Sequence, residues 1–276
     1  METVQVDGFR TGKQEYEHDP HTLMLGDFLA EDIVYPVPFD FDHNRRPFPT
    51  NVWGNDAYGD CVFAGRANNL LRLERVETRN TVPLTDQQVV DEYKLRTGCQ
   101  TPGDAKDRGY SVIQALREWR HGWELHFPDT KVTERTYSIA AFGELNPGDE
   151  KQLRTAIYLL HGIQLGLWLP LTALEQLQNA IKAGRPCIWD YVPDTPRNRP
   201  GSWGGHLVYS KRYDEDLIWD LTWGMEVAMT TSFTDHYADE AWGVIDNFDP
   251  WRKTHYFNVN AMIEKMREVG VTNIEQ

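Results

Sequence analysis

Cysteines stand at positions 61, 99 and 187 of the 276 residues, and Cys61 is the one placed where a thiol acquires chemistry. It opens a predicted helix directly behind the Gly- and Asp-rich turn Asn55-Asp56-Ala57-Tyr58-Gly59-Asp60. A helix N-terminus carries roughly half a positive elementary charge, which favours thiolate over thiol and predicts a pKa drawn below the ordinary value of about 8.5, whereas burial among apolar groups would do the opposite. A thiolate at that point could attack a carbonyl carbon, given a base to handle the proton and N–H donors for the oxyanion that forms. The base is found at His206, at the end of Gly204-Gly205-His206 and 145 residues after Cys61. Cys99 falls in a predicted loop and Cys187 opens the strand-like C-I-W-D-Y, and neither has an ordered histidine motif behind it.

The order of these motifs resembles the papain-like cysteine peptidase superfamily. An amide side chain six residues before the cysteine, a glycine two before it, a histidine opening a later strand and a Trp-Gly after the next strand are matched by Asn55, Gly59, Cys61, His206 and Trp223-Gly224. The Cys-to-His spacing lies within the roughly 130 to 150 residues of that superfamily. More narrowly, W-G-N-D-x-x-G-D-C-V, G-G-H and T-W-G resemble a group of papain-like proteins encoded by bacteriophages and bacteria. The resemblance implies Cys61 as nucleophile, His206 as base, and Asn55 with the Cys61 backbone N–H as oxyanion donors. Trp53, Gly59, Gly205 and Trp223 would line the substrate cleft. The third catalytic position departs from the pattern: alignment on Trp223-Gly224 puts Leu221 where the family has its His-orienting Asn. Asp220 could serve instead if a register shift or bulge brought it round; otherwise the site is a Cys-His dyad or an inactive remnant.

Other candidates carry less. His18-Asp19-Pro20-His21 lacks a third ligand in its neighbourhood, so no metal is expected, and no cofactor. His121 and His161 precede glycines at predicted helix ends, where an imidazolium complements the dipole. The glycines from 201 to 205 lack the Lys and the strand–loop–helix setting of a phosphate loop and read better as a close approach of substrate backbone. Among ten tryptophans, Trp119 and Trp168 have core-like spacing.

The elements that must position these residues are an α+β set. Helices are predicted from Cys61 to about Thr78, from the capping box at Thr85 to Gly98, from Ser111 to Gly122, after Asn146-Pro147 to Gly162, and from Thr172 to Ala183. A strand is predicted at Ile163 to Leu169 and a hairpin at Gly205–Tyr213 and Leu217–Gly224. Ser232 to Asp246 and Val259 to Val269 read as helices. The expectation is a papain-like two-lobe fold: an extended, proline-rich arm over residues 1–50 laid on the surface, a helical lobe over 51–162, and a β-rich lobe over 163–276 with a C-terminal helix. The residues ahead of Cys61 lack the long helical pattern of an inhibitory pro-segment.

Charge bounds the partners. With 28 basic and 42 acidic side chains the formal charge is −14, which argues against nucleic acid or an anionic membrane as a partner. The polar, acidic N-terminus has no apolar signal-peptide region, and free thiols suit a reducing compartment, so a bacterial cytoplasm or a phage particle is the expected setting. The leading expectation is thiol-dependent hydrolysis of an amide bond in a peptide or protein substrate, with cell-wall amides or transamidation as variants. The alternative is a catalytically inactive papain-like binding or virion-associated protein, a phage structural role.

Overall fold

The computed structural model describes residues 8–29, 33–77, 82–128, 133–193 and 195–246, together with 261, 264, 265 and 268. In chain order the elements are β1 (Phe39–Asp40), α1 (Cys61–Glu77), α2 (Asp86–Thr97), α3 (Val112–His121), β2 (Trp123–His126), β3 (Glu134–Tyr137), β4 (Ala141–Leu145), α4 (Glu150–Leu160), β5 (Ile163–Leu169), α5 (Leu171–Lys182), β6 (Cys187–Trp189), β7 (Gly204–Tyr213), β8 (Leu217–Thr222), β9 (Met225–Thr230), α6 (Thr231–Tyr237) and β10 (Ala238–Ile245). The main sheet runs β4-β10-β5-β7-β8-β9-β6, with β1 added to β7. Its pairings are antiparallel except for β6 beside β9.

Local sequence rules explain the helix ends. Thr85 and Gln88 form a reciprocal capping box on α2, and Gly98 ends that helix at φ 73°, a left-handed turn that costs a glycine nothing. Ser111 caps α3 through the Gln114 N–H. Residues of α1 are buried almost all round its circumference, because β7 and β8 cover one side and α2 and α3 another. Three of its buried polar residues have defined partners: Trp53 Nε1 donates to Asn68, Arg72 pairs with Asp42 at 2.7 Å, and Arg66 pairs with Glu92 at 3.4 Å beneath the Trp123 ring. Gly65 lets α1 close on β7, since a Cβ there would lie 2.7 Å from the Leu207 side chain. That approach fixes Cys61 beside the strand carrying His206.

Two apolar cores flank the sheet. One gathers Leu153 and Ile157 of α4, Leu177 of α5 and the β5 leucines 165, 167 and 169. The other gathers Val62, Phe63 and Ala67 of α1, Trp119 of α3, and Leu207, Leu221 and Trp242 from the sheet.

Three expectations are corrected. The stretch Ser232 to Asp246, read as one helix, is the short α6 followed by strand β10. That strand lies between β4 and β5, and Glu240 to Ile245 are all buried. A strand covered on both faces lacks the alternation that marks strands in a sequence. Strands β2, β3 and β4 occupy part of the region read as helical. The N-terminal arm is not a surface feature throughout: Arg10, Thr11 and Lys13 are at most 4% exposed. The helix expected over Val259 to Val269 lies largely outside the described residues.

Candidate active site

Cys61 is the first residue of α1, and the Asp60 carbonyl accepts the N–H groups of Phe63 at 2.8 Å and Ala64 at 3.0 Å. Its side chain is buried, 1% exposed. Burial drives the thiol pKa up to about 12, opposed by the backbone N–H groups of Leu207 and Gly12 near the sulfur; the buried Asp60 carboxyl adds to the rise. The helix N-terminus therefore does not decide the protonation state as the sequence suggested. A helix end contributes about 2 kcal/mol at most, roughly 1.5 pKa units, whereas full desolvation moves a group by about 3 to 5 units.

His206 lies near the start of β7, fully buried. Its Nε2 is 2.6 Å from Thr222 Oγ1, and its ring stacks on Trp223 at 4.1 Å and 12°. A hydroxyl both donates and accepts, so this bond orients the ring in either tautomer. Trp223 is held over the imidazole by the two-residue turn joining β8 to β9, in which Trp223 (φ 45°) and Gly224 (φ 72°) are both left-handed, as such tight hairpins require. Trp203 stacks on the far side of Trp223 at 5.2 Å. Burial lowers the His206 pKa to about 3, and Nδ1 makes no hydrogen bond. Thiol and imidazole are both neutral and not bonded to each other: Cys61 lies with Leu207 on the α1 face of β7, and the His206 ring, beside Thr222 and Trp223, faces the other core.

The residue that bonds His206 is Thr222, which the sequence reading passed over. Asp220 sits opposite Ser210 in the β7–β8 ladder and accepts its hydroxyl at 2.5 Å. It shares Thr222's face of β8, but lies two residues farther from the turn and makes no bond to His206. Leu221 points into the α1 core. The signal was present in T-W-G: a Trp-Gly pair with a strand on each side is a hairpin turn, and the residue before it faces back along the partner strand.

The remaining expected residues fall around this pair. Asn55 is buried and its Nδ2 donates to the Tyr58 carbonyl at 3.1 Å, so its amide is committed within the turn that precedes Cys61. Trp53, at φ 61°, supports α1 through its bond to Asn68. The Gly59 N–H is held by Asp107 Oδ1 at 2.9 Å. Asp107, also unanticipated, accepts the Tyr93 hydroxyl, the Gly103 N–H and the Arg10 guanidinium as well. Among the described residues no cluster of three or more His, Cys, Asp or Glu could hold a metal.

The segment from Arg10 to Gln14 covers the site. Gly205 carbonyl accepts the N–H groups of Gly12 and Lys13, both at 2.9 Å. Tyr110 N–H donates to the Gly12 carbonyl at 2.8 Å, and Gln14 N–H to the Tyr110 carbonyl at 3.1 Å. Trp223 Nε1 donates to the Arg10 carbonyl at 2.9 Å, and Arg10 N–H to the Asn55 carbonyl at 3.2 Å. Main chain is clamped from both sides, and only glycine fits at position 12: a Cβ there would run into the Gly59 carbonyl.

The architecture is that of papain-like cysteine proteases. A cysteine protease from Xylella fastidiosa, xylellain, superposes with TM-score 0.57 at 15% identity, over 89% of this chain and 98% of its own. Procathepsin B S9 from Trypanosoma congolense gives TM-score 0.57 at 12% identity, over 85% and 86%. The Carica candamarcensis protease CMS1MS2, solved with E-64, gives 0.52 at 14%, over 77% and 100%. No family model and no curated protein matches the sequence.

Proposed function

We propose that the chain is a thiol peptidase in which Cys61 is the nucleophile, His206 the base and Thr222 the residue that orients His206, and that residues 10–14 block the site in the arrangement described above. The observations that support this reading are the papain-like architecture with Cys61 opening α1 and, on the strand packed against that helix, the buried imidazole of His206 held by Trp223 and Thr222. Nδ1 makes no hydrogen bond, and in this reading it takes the thiol proton once the strap withdraws and the ring turns toward the sulfur. With the strap withdrawn, water enters, the desolvation that holds both groups neutral falls away, and a thiolate–imidazolium pair becomes accessible. The sulfur then bonds to the substrate carbonyl carbon, the imidazolium proton passes to the leaving amine as the C–N bond breaks, and water, deprotonated by His206, releases the acyl group and restores the thiol.

A non-enzymatic binding or virion-associated role was motivated by Leu221 at the usual Asn position. Thr222 on Nε2 supplies an orienting group from the next residue and removes that motive. The substrate class is a peptide or protein.

The test is hydrolysis of quenched fluorescent peptide mixtures by the full chain carrying Gly12→Ala, which prevents the strap from seating. Turnover by that variant, lost when Cys61→Ala is added, is expected. Equal rates with and without the Cys61 thiol, or no turnover by the strap-released chain, would refute the proposal.

A further inference from the structure

Lys13 is the strap residue whose side chain leaves the site and enters the body of the protein. Its ammonium is fully buried, 2.7 Å from Asp239 Oδ2 and 2.8 Å from Glu240 Oε1, and 5.0 Å from the centre of the Trp168 ring. Gly166 makes room for both partners, since a Cβ there would run into Glu240 Cγ and lie 2.9 Å from Lys13 Cδ. Two carboxylates, an aromatic face and a channel kept open by a glycine form a socket matched to an alkylammonium or guanidinium.

Each acidic group near the strap has a different set of partners. Asp107, which pairs with Arg10, is engaged by Gly59, Tyr93 and Gly103 whether or not the strap is seated. The socket is otherwise: Glu240 keeps a bond from Trp242 Nε1 at 2.6 Å, and Asp239 Oδ1 is buried with no hydrogen-bond partner. Once Lys13 leaves, two carboxylates would face an empty channel beside the site, a state that a cationic side chain relieves.

We infer that Asp239, Glu240 and Trp168 select the substrate, favouring peptides that carry a lysine or arginine side chain next to a glycine at the narrow point between Gly59 and Gly205. This rests on the peptidase reading for its biological meaning, but its geometry stands apart from the chemistry. The strap is the internal example of the ligand: its glycine occupies the narrow point and its lysine the socket.

The test separates the two claims by measuring binding without a thiol. A fluorescein-labelled peptide with the sequence of residues 8–16 is titrated against the full chain carrying Cys61→Ala and Gly12→Ala, beside the same peptide with its lysine replaced by methionine. The lysine peptide should bind at least about tenfold more tightly, and Asp239→Asn with Glu240→Gln should abolish that preference. Equal affinities, or no binding of either peptide, would overturn the inference. Should Gly12→Ala prevent folding, the full chain with Lys13→Ala decides: n-propylammonium should raise its melting temperature by about 2 °C or more where 1-propanol does not, and equal responses would count against the socket. Selective binding with no cleavage by the Cys61-containing chain would instead sink the peptidase reading and leave the socket standing.

Discussion

The β7–β8 hairpin carries two buried polar pairs, His206–Thr222 near one end and Ser210–Asp220 four residues along β7. Both are at or near zero exposure, save Thr222 at 6%, and both are short side-chain hydrogen bonds of 2.6 and 2.5 Å. They differ in what lies beyond the bond. His206 has an aromatic wall in Trp223, a free ring nitrogen, and a neighbour, Leu207, whose side chain packs in the α1 core with Cys61. Asp220 has a free oxygen too, but its partner is the Ser210 hydroxyl and not a thiol, and its carboxyl is pushed up to about 7 by burial. Burial and a perturbed pKa are therefore common to both pairs; the thiol and the covering strap single out one of them. Perturbed titration alone marks a site only in probability.

Substitutions should separate the two pairs in order of effect. In a strap-released chain, His206→Ala removes the base and should lower kcat by about 10²- to 10⁴-fold, measured by peptide hydrolysis. Thr222→Ala leaves the ring in place but frees Nε2, and about a tenfold loss in kcat is expected, the weight of one neutral hydrogen bond. Thr222→Ser should restore most of it, whereas recovery with Thr222→Val would show that the methyl group and not the hydroxyl matters. Asp220→Asn should change kcat by no more than about twofold, because no bond ties it to His206; a loss comparable to that of His206→Ala would reverse the comparison.

Stability should distinguish the pairs by the sign of its pH dependence. Asp220 is neutral in the folded protein up to about pH 7, while an unfolded aspartate ionises near about 3.9. Its contribution is present at low pH and lost as pH rises from about 4 through 7. His206 runs the other way: the folded ring resists protonation down to about pH 3, the unfolded one protonates near about 6.5, and stability is lost as pH falls below that. Thermal unfolding of Asp220→Asn against pH should therefore fall less between pH 4 and 7 than the parent protein, and His206→Ala should fall less between pH 6.5 and 4. Parallel curves would remove the assignment.

Much of this geometry was legible in the chain, and the rest was hidden for definable reasons. The capping box at Thr85, the C-terminal glycine at 98 and the helical stripe of α3 depend on residues within one turn of one another, and they fold as written. Cys61, His206 and Trp223 each stand at or near an element boundary with its own turn chemistry, which is why their motifs stand out in the sequence. Thr222 was missed because register, and not alignment on Trp223, decides which β8 side chain faces His206. β10 was read as helix because both of its faces are covered. The strap was invisible for a different reason: Arg10 to Gln14 form no element of their own, and their partners at Asn55, Asp107, Gly205 and Glu240 are between 45 and 227 residues away.

The central claim is that Cys61 is a reactive thiol silenced by burial under residues 10–14. It is tested most directly by the pH dependence of iodoacetamide alkylation at Cys61, Cys99 and Cys187, read by peptide mass spectrometry, in the parent protein and in Gly12→Ala. The account predicts a protected Cys61 in the parent protein, in line with a thiol raised to about 12, and rapid labelling of Cys61 alone below pH 7 in Gly12→Ala, lost again on adding His206→Ala. A Cys61 that titrates as an ordinary thiol in Gly12→Ala, indifferent to His206, would contradict it.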